Sequence, residues 1–151
     1  MKALVLAEFG RLDVVEYPDP VAASGEVLVA IAHTGICGTD LHGYTGANGR
    51  RVPGMVMGHE TAGVVAAVGD GISGFAPGQA VTVNPVVVPT DDAQAWRGRE
   101  QQHPGKYVIG VKPDVVAAFA QFVAVPARNV VPLPDGMPTT HGALVEPLAV
   151  A

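Results

Sequence analysis

The single cysteine of this sequence, Cys37, lies in Gly35-Ile36-Cys37-Gly38-Thr39-Asp40-Leu41-His42; Gly58-His59-Glu60 follows it, and Leu144-Val145-Glu146-Pro147 comes near the end. A thiol, an imidazole and two carboxylates are the donor types of a catalytic zinc site, in which the protein fixes some ligands and leaves a position open for water or substrate oxygen. Cys37 as thiolate and His59 as neutral imidazole are the firmest ligand candidates. Adjacent residues of an extended strand point to opposite faces, so His59 and Glu60 can share one metal only if the chain turns there. Gly58 permits that turn, which leaves Glu60 either a direct ligand or a residue orienting one.

The elements that must position these groups are mainly β. The chain holds 19 glycines and 13 prolines, which break its β-branched runs into short segments and leave little room for long helices. The pattern predicts strands over Lys2 to Leu6, Asp13 to Tyr17, Glu26 to Thr34, Thr61 to Val68, Ala80 to Asn84, Tyr107 to Val111, Ala120 to Val125 and Asn129 to Val131. Val27 to Ala32 is apolar in both alternating sets, as in a strand covered on two sides. Gly74-Phe75-Ala76-Pro77-Gly78 reads as a turn. A helix is expected from Thr139, with Pro147 pushing Glu146 off helical geometry and starting a second helix. That apolar helix reaches Ala151 without a stop signal, which reads as a truncated chain or an isolated domain.

Composition excludes several classes. Hydrophobic residues make up 48% of the 151 residues and charged residues 15%, so one domain with a real core is expected and disorder is not. The net charge of -5 argues against a nucleic-acid partner. Glu8 and Gly10 end the first apolar stretch too early for a signal peptide, and no apolar run reaches membrane-spanning length. The expected compartment is the cytoplasm, where a lone thiolate stays reduced.

In their order along the chain, Gly35 to His42, Gly58-His59-Glu60 running into Ala62-Gly63-Val64-Val65, Gly71 to Gly78, Tyr107 to Gly110, Ala120 to Val131 and Ala143 to Ala151 resemble one family. The chain is similar, nearly end to end, to the N-terminal GroES-like domain of the zinc-dependent medium-chain alcohol and polyol dehydrogenases. The ending Glu146-Pro147-Leu148-Ala149-Val150-Ala151 resembles the sorbitol, butanediol and threonine dehydrogenase branches. The resemblance implies a mainly β fold, a partly open GroES-like β-barrel with a few short helices, and one catalytic zinc on Cys37 and His59, with Glu60 either a third direct ligand or a residue behind the ligands. It makes Glu146 either a fourth ligand exchanging with water or a hydrogen-bond partner of the metal's water. By the same likeness Thr39 bonds the substrate oxygen and His42 carries its proton toward solvent, since a hydroxyl both donates and accepts and an imidazole exchanges protons readily near neutral pH. Asp40 is expected as a structural partner, and Tyr44 either lines the substrate pocket or packs as an ordinary aromatic.

Two departures from the family's pattern stand out. The lobe that often holds a structural zinc on four cysteines has none in Val88 to His103. No second zinc is expected there; Asp91, Asp92 and His103 are potential oxygen and nitrogen ligands, but without thiols the segment reads as a flexible solvated loop. Gln79 and Ala80 replace a usual Asp-Arg pair. The clusters Gly35 to Gly38 and Gly69-Asp70-Gly71 read as turns, and no glycine-rich phosphate loop is present. NAD or NADP would therefore be bound by a Rossmann domain following residue 151, and this chain alone would be inactive. The resemblance further implies a small alcohol or polyol as substrate and a dimeric or tetrameric homo-oligomer. The competing expectation is a stand-alone GroES-like module that binds metal or a partner without catalysis.

Overall fold

The computed structural model describes residues 1–151, with Thr90 described by its backbone only. Nine strands form one five-stranded and two two-stranded sheets. The hairpin of β1 (Lys2–Glu8) and β2 (Arg11–Glu16) turns at Gly10, whose φ of 85° suits glycine. The central antiparallel sheet has the order β8-β3-β4-β5-β9 and is not closed into a barrel. Its strands are β3 (Glu26–Thr34), β4 (Thr61–Val68), β5 (Ala80–Val83), β8 (Phe122–Pro126) and β9 (Val130–Pro132). β6 (Val86–Val87) and β7 (Tyr107–Val108) make the third sheet. Three short helices, α1 (Gly38–Tyr44), α2 (Thr139–Gly142) and α3 (Val145–Val150), complete the regular structure apart from three single 3-10 turns. Among the described residues no helix is long and apolar enough to cross a membrane.

The main core is a valine cluster. Val27 and Val29 of β3, Val65 of β4, Val81 and Val83 of β5, and Val123 and Val125 of β8 are buried together. These β-branched side chains suit a pleated surface, and burying each is worth about 1.5–3 kcal/mol. Three bulky residues, Leu6, Met55 and Met57, form a second cluster that joins β1 to the segment before β4, where Val5 and Val56 pair as an isolated bridge.

The β3 and β4 bounds agree with the expected ones, and the turn at Gly74 to Gly78 is present, Gly78 taking φ of 86° and donating its N–H to Val65 O. Besides β6 and α1, which were not expected, and strand ends that move by one or two residues, four features differ. The alternate set of β3 is only partly covered: Leu28 and Ala30 keep intermediate exposure and Ala32 is exposed, so the strand is central in hydrogen bonding but not sandwiched on both faces. β7 stops at Val108 because Gly110 turns the chain at φ of 79°. Glu146 is helical: Pro147 falls in the first turn of α3, where its missing N–H has no intrahelical partner to lose.

The fourth difference is the segment from Val88 to His103, which is folded rather than a loose solvated loop. His103 is buried; its Nε2–H donates to Asp92 Oδ2 at 3.1 Å, and its Nδ1 accepts the Gly105 N–H at 2.9 Å. Trp96 meets the imidazole in a T-shaped contact with centroids 5.0 Å apart, and the Arg99 guanidinium covers the Trp96 ring. An aromatic pair and a buried hydrogen-bonded histidine supply the organisation.

Candidate metal centre

Register brings the two halves of the site together. β3 and β4 are antiparallel and Thr34 faces Thr61, so the chain leaving β3 and the chain entering β4 run side by side. Gly35 N–H donates to Glu60 O at 2.7 Å, which locks the two loops. Cys37 follows on one loop as the residue preceding α1, and His59 and Glu60 lie on the other.

The turn required at Gly58 is present. Its φ is 94°, a conformation that side-chain-bearing residues rarely adopt. Backbone bonds from Ala118 N to Gly58 O and from Phe119 N to Met57 O hold the turn from behind. With the chain bent there, His59 and Glu60 both face Cys37. The ligand atoms of Cys37, His59 and Glu60 all lie within 4.8 Å of one another, and among the described residues no other group of three such side chains does so.

This trio fits a zinc ion on its chemistry as well as its spacing. Sulfur, imidazole nitrogen and carboxylate oxygen are each zinc donors, and three protein ligands leave one tetrahedral position free. His59 is buried, and its Nδ1 finds no hydrogen-bond partner among the described residues; Asp40 Oδ1 lies 3.6 Å from it. Asp40 is itself buried: Oδ2 accepts the Cys37 backbone N–H at 3.1 Å, while Oδ1 accepts from Arg51 Nη2 at 3.3 Å. One carboxylate therefore touches both loops of the site, the structural role expected of it.

The remaining candidates surround this trio. Thr39 and His42 are exposed and, three residues apart, neighbours on the outer face of α1, while Asp40 and Gly43 occupy its buried face. Among the described residues no hydrogen bond joins the Thr39 hydroxyl to the His42 ring; the two share a face and no more. Glu146 is not in the mutually close trio, but α3 carries it near enough to feel the charges of His59, Glu60 and Asp40. Burial pushes the Glu146 carboxyl above the ordinary carboxylate range; His59 opposes that rise, and Glu60 and Asp40 add to it. Helix α2 anchors this end through Gly142, packed on Leu133 and Ala62, and through the His33 Nδ1 contact to Thr139 Oγ1 at 2.9 Å. Tyr44 is a packed aromatic, set against the cluster of Leu6, Met55 and Met57 with its hydroxyl donating to Gly10 O, although it also borders an open apolar cavity with Leu41, Met57 and Phe119.

Sequence reasoning missed Arg51 and His33. Nothing in Arg50-Arg51 distinguishes a buried guanidinium from a solvated one, since arginine is almost always exposed. Its one signal is Gly43, whose lack of a side chain leaves the space that the Arg51 stem fills.

Comparison with known proteins gives this geometry a context. The family model described as the alcohol dehydrogenase GroES-like domain matches residues 23–135. The chain is 39% identical over 141 residues to an L-threonine 3-dehydrogenase of Ruegeria pomeroyi, covering 91% of this chain and 40% of that protein. Among solved structures, galactitol-1-phosphate dehydrogenase from Escherichia coli superposes with a TM-score of 0.89 at 33% identity, over 99% of this chain and 43% of the other. 2R,3R-butanediol dehydrogenase from Bacillus subtilis does so with a TM-score of 0.84 at 28% identity, over 99% and 45%. The chain thus spans less than half the length of each of these proteins.

Proposed function

This chain belongs to the GroES-like alcohol dehydrogenase domain family of the zinc-dependent medium-chain alcohol and polyol dehydrogenases, and from that premise we propose that it is the catalytic domain of an NAD(P)-linked dehydrogenase of secondary alcohols. The observation that carries the proposal is the convergence of Cys37, His59 and Glu60 within 4.8 Å at the meeting of two loops. These three residues would hold the metal. Zinc, when bound, supplies a Lewis acid that polarises a substrate oxygen. A nicotinamide cofactor, carried by a Rossmann domain outside these residues, supplies the hydride acceptor.

The chain's own side chains handle the proton. The Thr39 hydroxyl, exposed on α1, takes the hydrogen bond of the substrate hydroxyl and passes its proton on. His42, exposed one turn along the same face, accepts it and gives it to solvent. Glu146, kept from easy ionisation by burial, stands at the edge of the site as an exchangeable ligand or as a hydrogen-bond partner of water there. Support for the substrate class comes from the relatives: L-threonine, galactitol 1-phosphate and 2R,3R-butanediol, the compounds in their names, each carry a secondary hydroxyl beside another polar substituent.

The test is reduction of NAD⁺ or NADP⁺ by the full-length protein across a panel of polyols, hydroxy amino acids and vicinal diols. The expected result is turnover that a chelator abolishes and zinc restores. A full-length protein that binds zinc yet reduces neither cofactor with any secondary alcohol would instead be a metal-binding module without catalysis.

A further inference from the structure

Arg51 is among the largest fully buried side chains of the molecule, in the loop between α1 and β4. Its stem passes under Gly43, where any added Cβ would overlap it, and its guanidinium ends on Asp40 Oδ1 at 3.3 Å. Arg51 Nε is buried without a hydrogen-bond partner among the described residues. A guanidinium held this way is a poor source of stability, because an apolar side chain of similar size would fill the same space without desolvating a charge or orphaning a donor. Its placement is explained by what it does to Asp40.

Asp40 touches the two loops of the site through its two oxygens, one on the Cys37 backbone N–H and the other toward His59 Nδ1. The same oxygen that faces His59 is the one Arg51 grips. We propose that Arg51 is a positioning residue of the metal centre, which fixes the Asp40 carboxylate so that it orients His59 and the Cys37 loop around a bound divalent ion. The inference rests on the zinc-site reading above.

Zinc affinity, measured on the full-length protein by chelator competition, tests it without reference to turnover. Arg51→Gln keeps a hydrogen-bond donor and removes the charge; affinity is expected to fall about 10- to 100-fold, the usual effect of losing a group that orients a metal ligand. Arg51→Lys restores part of that loss. With Co²⁺ in place of zinc, the d–d bands of Arg51→Gln shift, because His59 is no longer held in one orientation. In the Asp40→Asn background, Arg51→Gln adds no further loss, since Arg51 acts through Asp40. Parental affinity and an unchanged cobalt spectrum in folded Arg51→Gln would overturn the proposal, as would full additivity with Asp40→Asn. Should Arg51→Gln fail to fold, Gly43→Ala pushes the arginine stem aside with all charges kept, and parental affinity in that variant would equally overturn it. A parent protein that takes up no zinc would instead refute the site reading itself, and this inference with it.

Discussion

Gly35 lies directly against the carboxylate of Glu60: a Cβ built at position 35 would overlap Glu60 Oε2, while the Gly35 N–H donates to the Glu60 carbonyl. The two loops of the metal centre are therefore in contact at the one residue that can tolerate it. Gly35→Ala is expected to displace the Glu60 carboxylate, to cost about 1–3 kcal/mol as an overpacked contact and to weaken zinc binding. Chemical denaturation and zinc titration of the variant check both effects.

The outer face of α1 yields a second prediction. Thr39→Val removes the only hydroxyl proposed to take the substrate's proton, so kcat is expected to fall by about 10² or more, with zinc content unchanged. His42→Ala should lose less, because water reaches that exposed position, and added imidazole should recover part of the rate. Equal turnover in Thr39→Val and the parent would remove Thr39 from the mechanism.

How far this site was legible in the sequence depended on how local the cause was. The bounds of β3 and β4 follow from β-branched runs that end at Gly35 and Gly69, and the Gly58 turn follows from needing His59 and Glu60 on one side. β6 escaped notice because Val86 and Val87, in the three-residue run between Pro85 and Pro89, carry no periodicity, only a pairing with Val108 and Tyr107 supplied by distant chain. Arg51 and the His103 lobe were hidden for the same reason: their burial comes from neighbours across the fold, Asp40 and Gly43 in one case, Trp96 and Asp92 in the other.

The His103 lobe leads to a third prediction. His103→Ala breaks the bonds to Asp92 and Gly105 and removes the contact to Trp96, for a loss of about 1–3 kcal/mol. Trp96 is the only tryptophan of the chain, so its fluorescence reports the lobe directly: emission should move to longer wavelength in the variant, while zinc content stays that of the parent. A chelator should leave the parent's Trp96 emission unchanged, and a chelator-induced shift would place a metal in the lobe.

Glu146 gives a prediction in pH. Its carboxyl is raised in the folded chain, chiefly by burial, so the folded state holds that proton more tightly than the unfolded state does. Stability then falls as pH rises from the ordinary carboxylate range through the raised value, and the loss is complete above it. In metal-free protein, Glu146→Gln should leave stability unaltered at the acid end and exceed the parent increasingly as pH rises from the ordinary carboxylate range of about pH 4 through the raised value. Denaturation series of the two proteins across that range decide it; a difference that is constant with pH would contradict the assignment.

The central claim is that Cys37, His59 and Glu60 hold one zinc ion, and elemental analysis of the purified full-length protein tests it most directly. The account predicts one zinc per chain, lost on Cys37→Ala or His59→Ala while the circular dichroism of the β fold persists. A protein that carries no zinc, or that keeps its full complement after both substitutions, would contradict it.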